Sequence, residues 1–155
     1  MRSYAPGFIF TTALPPPVAA AATAAIRHLK VSSAEREGQQ RAVRLTRERL
    51  KVHSLPVMDT PTHILPVMIG DAEKCKAASD RLLEKHGIYI QPINYPTVPK
   101  GTERLRITPT PLHDEVLIEH LAKALIETWD HLGLARGEAE TVEMKPKSIF
   151  AVSGG

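Results

Sequence analysis

Residues 88–108, IYIQPINYPTVPKGTERLRIT, decide the fold that we expect for this chain. The segment RLRIT at 104–108 alternates polar and apolar side chains, which is typical of a half-buried strand. The apolar segment 88–90 predicts another short strand, and the proline-rich residues 91–101 between them predict a loop. In a strand, side chains two residues apart lie on one face, so Arg104 and Arg106 share a face opposite the apolar one.

The flanking sequence predicts four helices and one more strand. The alanine-rich residues 18–30 follow a proline triplet that suits a first helical turn, and their small side chains predict close packing against other elements or another subunit. A second predicted helix covers 32–53, with Ser32 as N-cap paired with Glu35 three residues on. The other two cover 71–87, capped by Asp71 and ended by Gly87, and 113–132, with a cap region at His113-Asp114-Glu115 and Gly133 as its end. Residues 63–69 predict a strand, which Pro66 places at a sheet edge or a bulge. This order indicates the α+β class, with a small, mostly antiparallel sheet and helices on one face. Such a sheet gives a thin core for four helices, so we expect it to pack on something larger.

Composition excludes several classes of protein. The chain has 155 residues, 43% of them hydrophobic, and a net charge of +3. These values are ordinary for a globular protein, and the charge is too small to require nucleic acid as a partner. The most apolar run carries three prolines and is too short to span a membrane. The single cysteine, Cys75, rules out an internal disulfide framework, fits a reducing compartment and is expected to be an inert core thiol.

Two places hold polar groups in a constrained backbone. Thr11 and Thr12 precede the proline triplet, where hydroxyl groups and free N–H groups at a helix N-terminus favour an anion. Pattern alone favours the simpler interpretation that the two threonines only cap the helix. Arg104 and Arg106 offer donor forks that suit a carboxylate or a phosphate. Pattern alone again favours a simpler role, a surface arginine paired with a glutamate. Periodicity also does not say which of Arg104 and Arg106 faces a site.

Other chemistry finds no support in the sequence. The seven histidines show no metal-binding spacing, so no metal site is predicted. No phosphate-binding glycine loop and no nucleophile elbow is present. The basic residues 41–51 have charges all round a helix and no interleaved aromatic residues, which indicates a solvated face and no nucleic-acid site.

Two long segments nevertheless resemble a known family. Residues 2–16, RSYAPGFIFTTALPP, and 89–99, YIQPINYPTVP, with the continuation GTERLRITP at 101–109, closely resemble the 5-aminolevulinate synthases. These form a branch of the α-oxoamine synthases, dimeric pyridoxal-phosphate enzymes of fold type I. The resemblance extends to about Leu134. It implies condensation of glycine with succinyl-CoA to 5-aminolevulinate, CoA and carbon dioxide, the entry to heme and other tetrapyrroles.

The resemblance also implies roles for individual residues. Arg106 matches the arginine that holds the carboxylate of glycine, and Thr97 matches a threonine near the succinyl carboxylate. Thr11 and Thr12 match a hydroxyl pair that reaches the cofactor phosphate of the neighbouring subunit in a homodimer. His113 matches a recurrent histidine to which no chemical role is assigned.

The resemblance further implies that this chain is a C-terminal portion. The family's lysine that attaches pyridoxal phosphate lies upstream of residue 2, and no lysine here sits in the family's lysine motif. We therefore expect residues 1–30 to end the large cofactor domain, 31–134 to form the small C-terminal domain, and 135–155 to be a mobile tail. We expect no activity from the chain alone and, without a targeting peptide, a bacterial-type cytoplasmic location.

Two alternatives stay open. The chain could belong to a sister α-oxoamine synthase that makes 2-amino-3-ketobutyrate or 8-amino-7-oxononanoate. It could also be a non-catalytic module that pairs with a full-length subunit.

Overall fold

The computed structural model describes residues 15–137, and the chain divides into two units after Glu37. The predicted phosphate-site residues Thr11 and Thr12 lie outside the described residues. The predicted boundary between the large and small domains, at residues 30 and 31, stays a prediction.

The first unit contains helix α1, Pro16–Val31, which confirms the predicted alanine-rich helix. Two prolines occupy its first turn, where a missing N–H costs no helical hydrogen bond. None of its residues is buried. The close packing that its small side chains predict is therefore not made within residues 15–37.

Ser32 ends α1 and does not cap the next helix, which corrects the sequence prediction. Its backbone N–H donates to the carbonyl of His28, and helix α2 spans Ala34–Val52. The Ser32 hydroxyl donates instead to the Glu35 carboxylate at 2.7 Å, and that carboxylate also lies 2.6 Å from His28 Nε2. The hydrogen bonds from His28 and Ser32 lower the pKa of Glu35 to about 2. The predicted Ser32–Glu35 pair thus exists, but it joins side chains between two helices.

The second unit is built on a three-stranded antiparallel sheet. The strands are β1, Leu65–Met68; β2, Gln91–Ile93; and β3, Arg104–Ile107, in the order β1-β3-β2. The sheet confirms the α+β class and the half-buried strand at 104–107. It also confirms that Pro66 lies in an edge strand. The outer side of β1 is partly covered, because Met58 N–H donates to the Pro66 carbonyl and Met68 N–H donates to the Pro56 carbonyl, both at 2.9 Å.

The strand predicted at 88–90 is wrong, since the second strand begins at Gln91. Residues 88–90 instead lead the chain out of helix α3, Ala72–His86. Ile88 N–H donates to the Leu82 carbonyl at 3.1 Å, and the buried Ser79 hydroxyl donates to the Ile90 carbonyl at 2.6 Å. These bonds hold residues 88–90 against α3, so their backbone groups do not enter the sheet.

The ends of α3 and of the last helix, α4, Glu115–Leu132, follow the predicted signals. Asp71 accepts a hydrogen bond from Lys74 N–H at 2.8 Å, and Asp114 accepts one from Leu117 N–H at 2.9 Å. Gly87 and Gly133 end the two helices with φ of 67° and 58°, a left-handed conformation that glycine adopts without strain.

The core of the second unit lies between the sheet and its helices. Helix α3 packs on β2 and β3 and against α4. Buried side chains come from the helices and from β1 and β3, among them Leu50, Val67, Leu82, Leu105, Leu125 and Trp129. Cys75 is fully buried, and desolvation by burial raises its pKa to about 11, which confirms it as an inert core thiol.

The start of the predicted tail contacts this core. Trp129 Nε1 donates to the Ala135 carbonyl at 3.2 Å, and Gly137 N–H donates to the Ser54 carbonyl at 2.9 Å. Arg136 pairs with Asp130 at 2.6 Å. Residues 138–155 lie outside the described residues.

Leu105→Ala should destabilise the chain by about 2–5 kcal/mol, because the side chain is 0% exposed in the central strand and its removal leaves a cavity. Urea unfolding followed by circular dichroism measures the change. Leu112→Ala is the matched control, since Leu112 is 86% exposed and its truncation should change the free energy of unfolding by about 0.5 kcal/mol or less. Equal effects of the two substitutions would contradict this position of the core.

Candidate functional site

Arg106 lies in the central strand of the sheet, and its cross-strand partners are uncharged. Its partners across the two strand pairs are Pro66 in β1 and Gln91 in β2. The Gln91 amide oxygen already accepts a hydrogen bond from the Tyr89 hydroxyl at 2.6 Å. Arg106 is exposed and makes no hydrogen bond or ion pair with any residue in 15–137. Its donor fork is therefore available to an anion.

Arg104 shares the strand and the face but is already occupied. Its Nε donates to the Thr102 carbonyl at 2.8 Å, and its Nη1 lies 3.3 Å from Met58 Sδ. The side chain is half-buried. Within 15–137, Arg106 is thus the arginine of this strand with a free guanidinium, and which of the two faces a site stays a prediction. The structure also disfavours the interpretation of Arg106 as a surface arginine paired with a glutamate.

A cleft of about 390 Å³ opens beside Arg106. Its walls come from the chain after α3, the end of β3 and the first turns of α4. They combine one guanidinium and two imidazoles with apolar side chains. The lining residues are Thr46, Gly87, Ile88, Tyr89, Ile90, Arg106, Ile107, Thr108, Pro109, His113, Leu117, Ile118, His120 and Leu121. A small molecule with one anionic end suits such a site, because few polar groups fix its orientation and apolar walls enclose the rest.

His113 is in the cleft wall, and its contacts are structural. Its Nδ1 accepts a hydrogen bond from Thr110 N–H at 2.8 Å, just before Asp114 caps α4. Because a backbone N–H can only donate, Nδ1 carries the lone pair and the neutral ring has its proton on Nε2. The bond holds the turn that joins the arginine strand to α4.

Thr97 lies in the loop between β2 and β3, which also contains Tyr95 and Lys100. Thr97 is exposed, and its N–H donates to the Asn94 carbonyl at 2.9 Å. The strand register places this loop next to Arg104, since Ile93 pairs with Arg104. Thr97 is not among the residues that line the cleft, so within 15–137 the structure does not bring Thr97 and Arg106 into one pocket.

Glu103 anchors the Thr97 loop, a role that sequence reasoning missed. The side chain is 3% exposed, and its carboxylate accepts a hydrogen bond from Gly101 N–H at 2.8 Å. The Glu103 carbonyl accepts from the N–H groups of Ile69 and Gly70, both at 2.9 Å. A Cβ at Gly70 would come within 3.3 Å of the Gly101 carbonyl oxygen, and both glycines have positive φ. No local sequence signal marks Glu103, because its burial depends on the 69–70 segment.

Other kinds of site are not found in this part of the chain. Residues 15–137 contain no group of three or more histidine, cysteine, aspartate or glutamate side chains that could hold a metal ion. No helix among these residues is long and apolar enough to cross a membrane.

Comparison with known proteins identifies the class. The family model of aminotransferase class I and II matches residues 1–125, and the chain belongs to this family. A PLP-bound serine palmitoyltransferase from S. paucimobilis superposes with a TM-score of 0.73 at 29% identity, over 81% of this chain and 32% of that one.

Curated relatives narrow the resemblance. The chain is 66% identical over 151 residues to a 5-aminolevulinate synthase of Bradyrhizobium diazoefficiens, which covers 97% of this chain and 35% of that protein. A second 5-aminolevulinate synthase, from Rhizobium meliloti, is 58% identical over 90% of this chain and 34% of its own length. The chain thus spans about a third of the curated relatives that it matches.

Glu103→Ala should loosen the Thr97 loop, because the Gly101 N–H loses its acceptor. We expect hydrogen exchange at the Gly101 amide to accelerate by about tenfold, the equivalent of one hydrogen bond. Glu103→Gln is the matched variant, since its amide oxygen can still accept the bond. NMR-detected exchange measures both, and equal protection in the two variants would contradict the anchoring role.

Proposed function

We propose that this chain supplies the amino-acid carboxylate site of a pyridoxal-phosphate-dependent 5-aminolevulinate synthase. The single observation that carries the proposal is the free guanidinium of Arg106, held on the central strand beside a cleft. The 66% identical relative, whose printed name is 5-aminolevulinate synthase, supports the particular activity. The substrates would be glycine and succinyl-CoA, and the products 5-aminolevulinate, CoA and carbon dioxide.

Arg106 would bind and orient glycine. A guanidinium presents parallel N–H donors to both oxygens of a carboxylate, and it stays charged at any physiological pH. Glycine has no side chain to grip, so a two-point hold on its carboxylate is the main way to fix its orientation. The flanking residues Pro66 and Gln91 carry no charge that would compete for the guanidinium.

Pyridoxal phosphate would supply the electron sink for carbanion chemistry at the glycine α-carbon. The described residues fit the substrate of such a cofactor, since the cleft offers one guanidinium for a carboxylate, two imidazoles and otherwise hydroxyl and apolar side chains. Thr11 and Thr12 are our proposed contacts to the cofactor phosphate of the neighbouring subunit. They lie outside the described residues.

Thr97 is the proposed contact to the succinyl carboxylate of the acyl donor. The Glu103 carboxylate and the Asn94 carbonyl hold its loop in place. Because Thr97 and Arg106 do not share the cleft within 15–137, this assignment requires the acyl chain to approach from the Arg104 end of β3.

The unburied helix α1 fits a place in a larger assembly. None of the residues of this alanine-rich helix is buried within 15–137, and their small side chains allow close approach of another element. We propose that the rest of the synthase subunit, or its partner in a homodimer, covers this helix.

Arg106→Lys should lower kcat/KM for glycine by about 10- to 100-fold, because a point charge replaces two parallel donors. The assay uses a chimera in which this chain replaces the matched third of the Bradyrhizobium diazoefficiens relative. Formation of 5-aminolevulinate from glycine and succinyl-CoA is measured.

Arg104→Lys is the matched control in the same chimera, since Arg104 shares the strand and face but its guanidinium bonds to Thr102 and Met58 and it does not line the cleft. Its kcat/KM should stay close to that of the unchanged chimera. Equal losses in the two variants would overturn the Arg106 assignment. An unchanged chimera that prefers acetyl-CoA or pimeloyl-CoA over succinyl-CoA would instead favour a sister synthase.

The 155-residue chain by itself should not attach pyridoxal phosphate covalently, because no lysine here matches the family's cofactor lysine. Borohydride reduction after incubation with the cofactor, followed by intact-mass spectrometry, tests this expectation. A stoichiometric adduct on one lysine would contradict it, whereas scattered substoichiometric labelling of surface lysines would not.

A further inference from the structure

Two histidines and a glutamate meet where α3 and α4 approach the cleft. His86 is the last residue of α3, and His120 and Glu127 lie on α4. The two imidazole rings pack edge to face with centroids 6.3 Å apart. His120 Nε2 lies 3.2 Å from the His86 carbonyl oxygen. A carbonyl can only accept, so His120 carries a proton on Nε2 and donates it to the end of α3.

His86 has one polar atom that its surroundings do not satisfy. Its side chain is 13% exposed, and its Nε2 is buried with no hydrogen-bond partner among the described residues. Glu127 Oε2 is 3.7 Å away, just beyond hydrogen-bond distance. The Glu127 side chain is 63% exposed, so it has room to move toward the ring. A carboxylate can only accept, so this contact strengthens when His86 Nε2 carries a proton and the ring is positively charged.

The same place controls one wall of the cleft. Gly87 follows His86 with φ of 67°, and residues 87–90 then line the cleft that contains Arg106. His120 also lines this cleft. A shift of His86 toward Glu127 would therefore be transmitted directly to the backbone of residues 87–90.

We propose that His86, His120 and Glu127 form a proton-sensitive clasp between α3 and α4 that positions the 87–90 wall of the Arg106 cleft. His86 and His120 are positioning residues in this scheme. The clasp stands on the contacts above, and its effect on glycine rests on the proposed function of Arg106.

Other charges around the clasp set the sign of its response. α4 presents Lys123 on the same face as His120 and Glu127, and Lys123 lies 3.8 Å from Glu119. On α3, the exposed neighbours of His86 are Glu84 and Lys85. Strand β2 has no ionisable side chain. Strand β3 carries Arg104 and Arg106, of which Arg106 lines the cleft. Protonation of His86 strengthens its contact with the Glu127 carboxylate. Protonation of His120 as well would place two cations in edge contact, and His120 lines the same cleft as the Arg106 cation. The clasp should therefore be tightest when one ring is protonated and the other is neutral.

The first test measures the melting temperature of the full 155-residue chain. Glu127→Gln should lower Tm by about 2 °C near pH 6 and have almost no effect near pH 8.5, because a carboxylate stabilises a histidine ring most when the ring is protonated. Glu84→Gln, on the solvent side of α3, is the matched control and should show no such pH dependence. In a His86→Phe background, which keeps a ring but no proton, Glu127→Gln should have no effect at either pH.

The second test measures whether the backbone of residues 87–90 changes its position with pH. A purely structural contact between α3 and α4 would not make it do so. The amide resonances of Gly87 and Tyr89 should shift between pH 8.5 and about pH 6 in the unchanged chain and stay fixed in His86→Phe. His120→Gln, which retains an N–H donor, should preserve the resonance pattern that His120→Leu loses. A pH-independent effect of Glu127→Gln, or Gly87 shifts that persist in His86→Phe, would overturn the clasp.

The third test concerns glycine and uses the chimera. If the clasp positions the Arg106 cleft, His86→Phe should flatten the acid side of the pH profile of KM for glycine. If the first two tests succeed but His86→Phe leaves the pH profile of KM for glycine unchanged, the link to glycine is overturned and the clasp itself is retained. A chimera without synthase activity would refute the proposed function and leave the first two tests unaffected.

Discussion

The pairing of β3 with a strand on each side is the constraint on which the rest of the structure depends. Its backbone hydrogen bonds to β1 and β2 fix which way every side chain of 104–107 points. Leu105 and Ile107 are buried in the core, and Arg106 must then face outward between Pro66 and Gln91. A slip of one residue in this register would put the guanidinium into the core, which the energy of a buried unpaired charge forbids.

That constraint also explains why the residues of the candidate site lie in two regions. The end of β3 leads through the His113 turn to α4 and forms the cleft with the segment after α3. The start of β3 holds the Thr97 loop through the Glu103 carboxylate. The strand is short, so both regions are only two or three residues from the same buried Leu105. Loss of packing there would disturb both.

Sequence reasoning succeeded where the signal is local. The caps Asp71 and Asp114 and the terminal glycines Gly87 and Gly133 are side-chain and φ preferences that act within one turn, and the structure has all four. It failed at 88–90, where three β-prone residues are held by α3 through Ser79 and Leu82. Strand propensity describes a fit to a pleated surface. Here, backbone groups that a strand would use for pairing are hydrogen-bonded to α3 instead. It also failed at Ser32, which ends one helix where the pattern predicted the start of the next.

The sequence by itself determined the helices, the alternation of the arginine strand and the resemblance that marks Arg106, Thr97, Thr11 and Thr12. These depend on residue type at short spacing, or on long ungapped motifs. Only the tertiary structure decided that Arg106 is free while Arg104 is occupied, that buried Glu103 anchors the Thr97 loop, and that His86 meets His120 and Glu127. Each of these outcomes depends on a partner far away in the chain. Side-chain burial and hydrogen bonding across elements are set by packing, which local pattern does not encode.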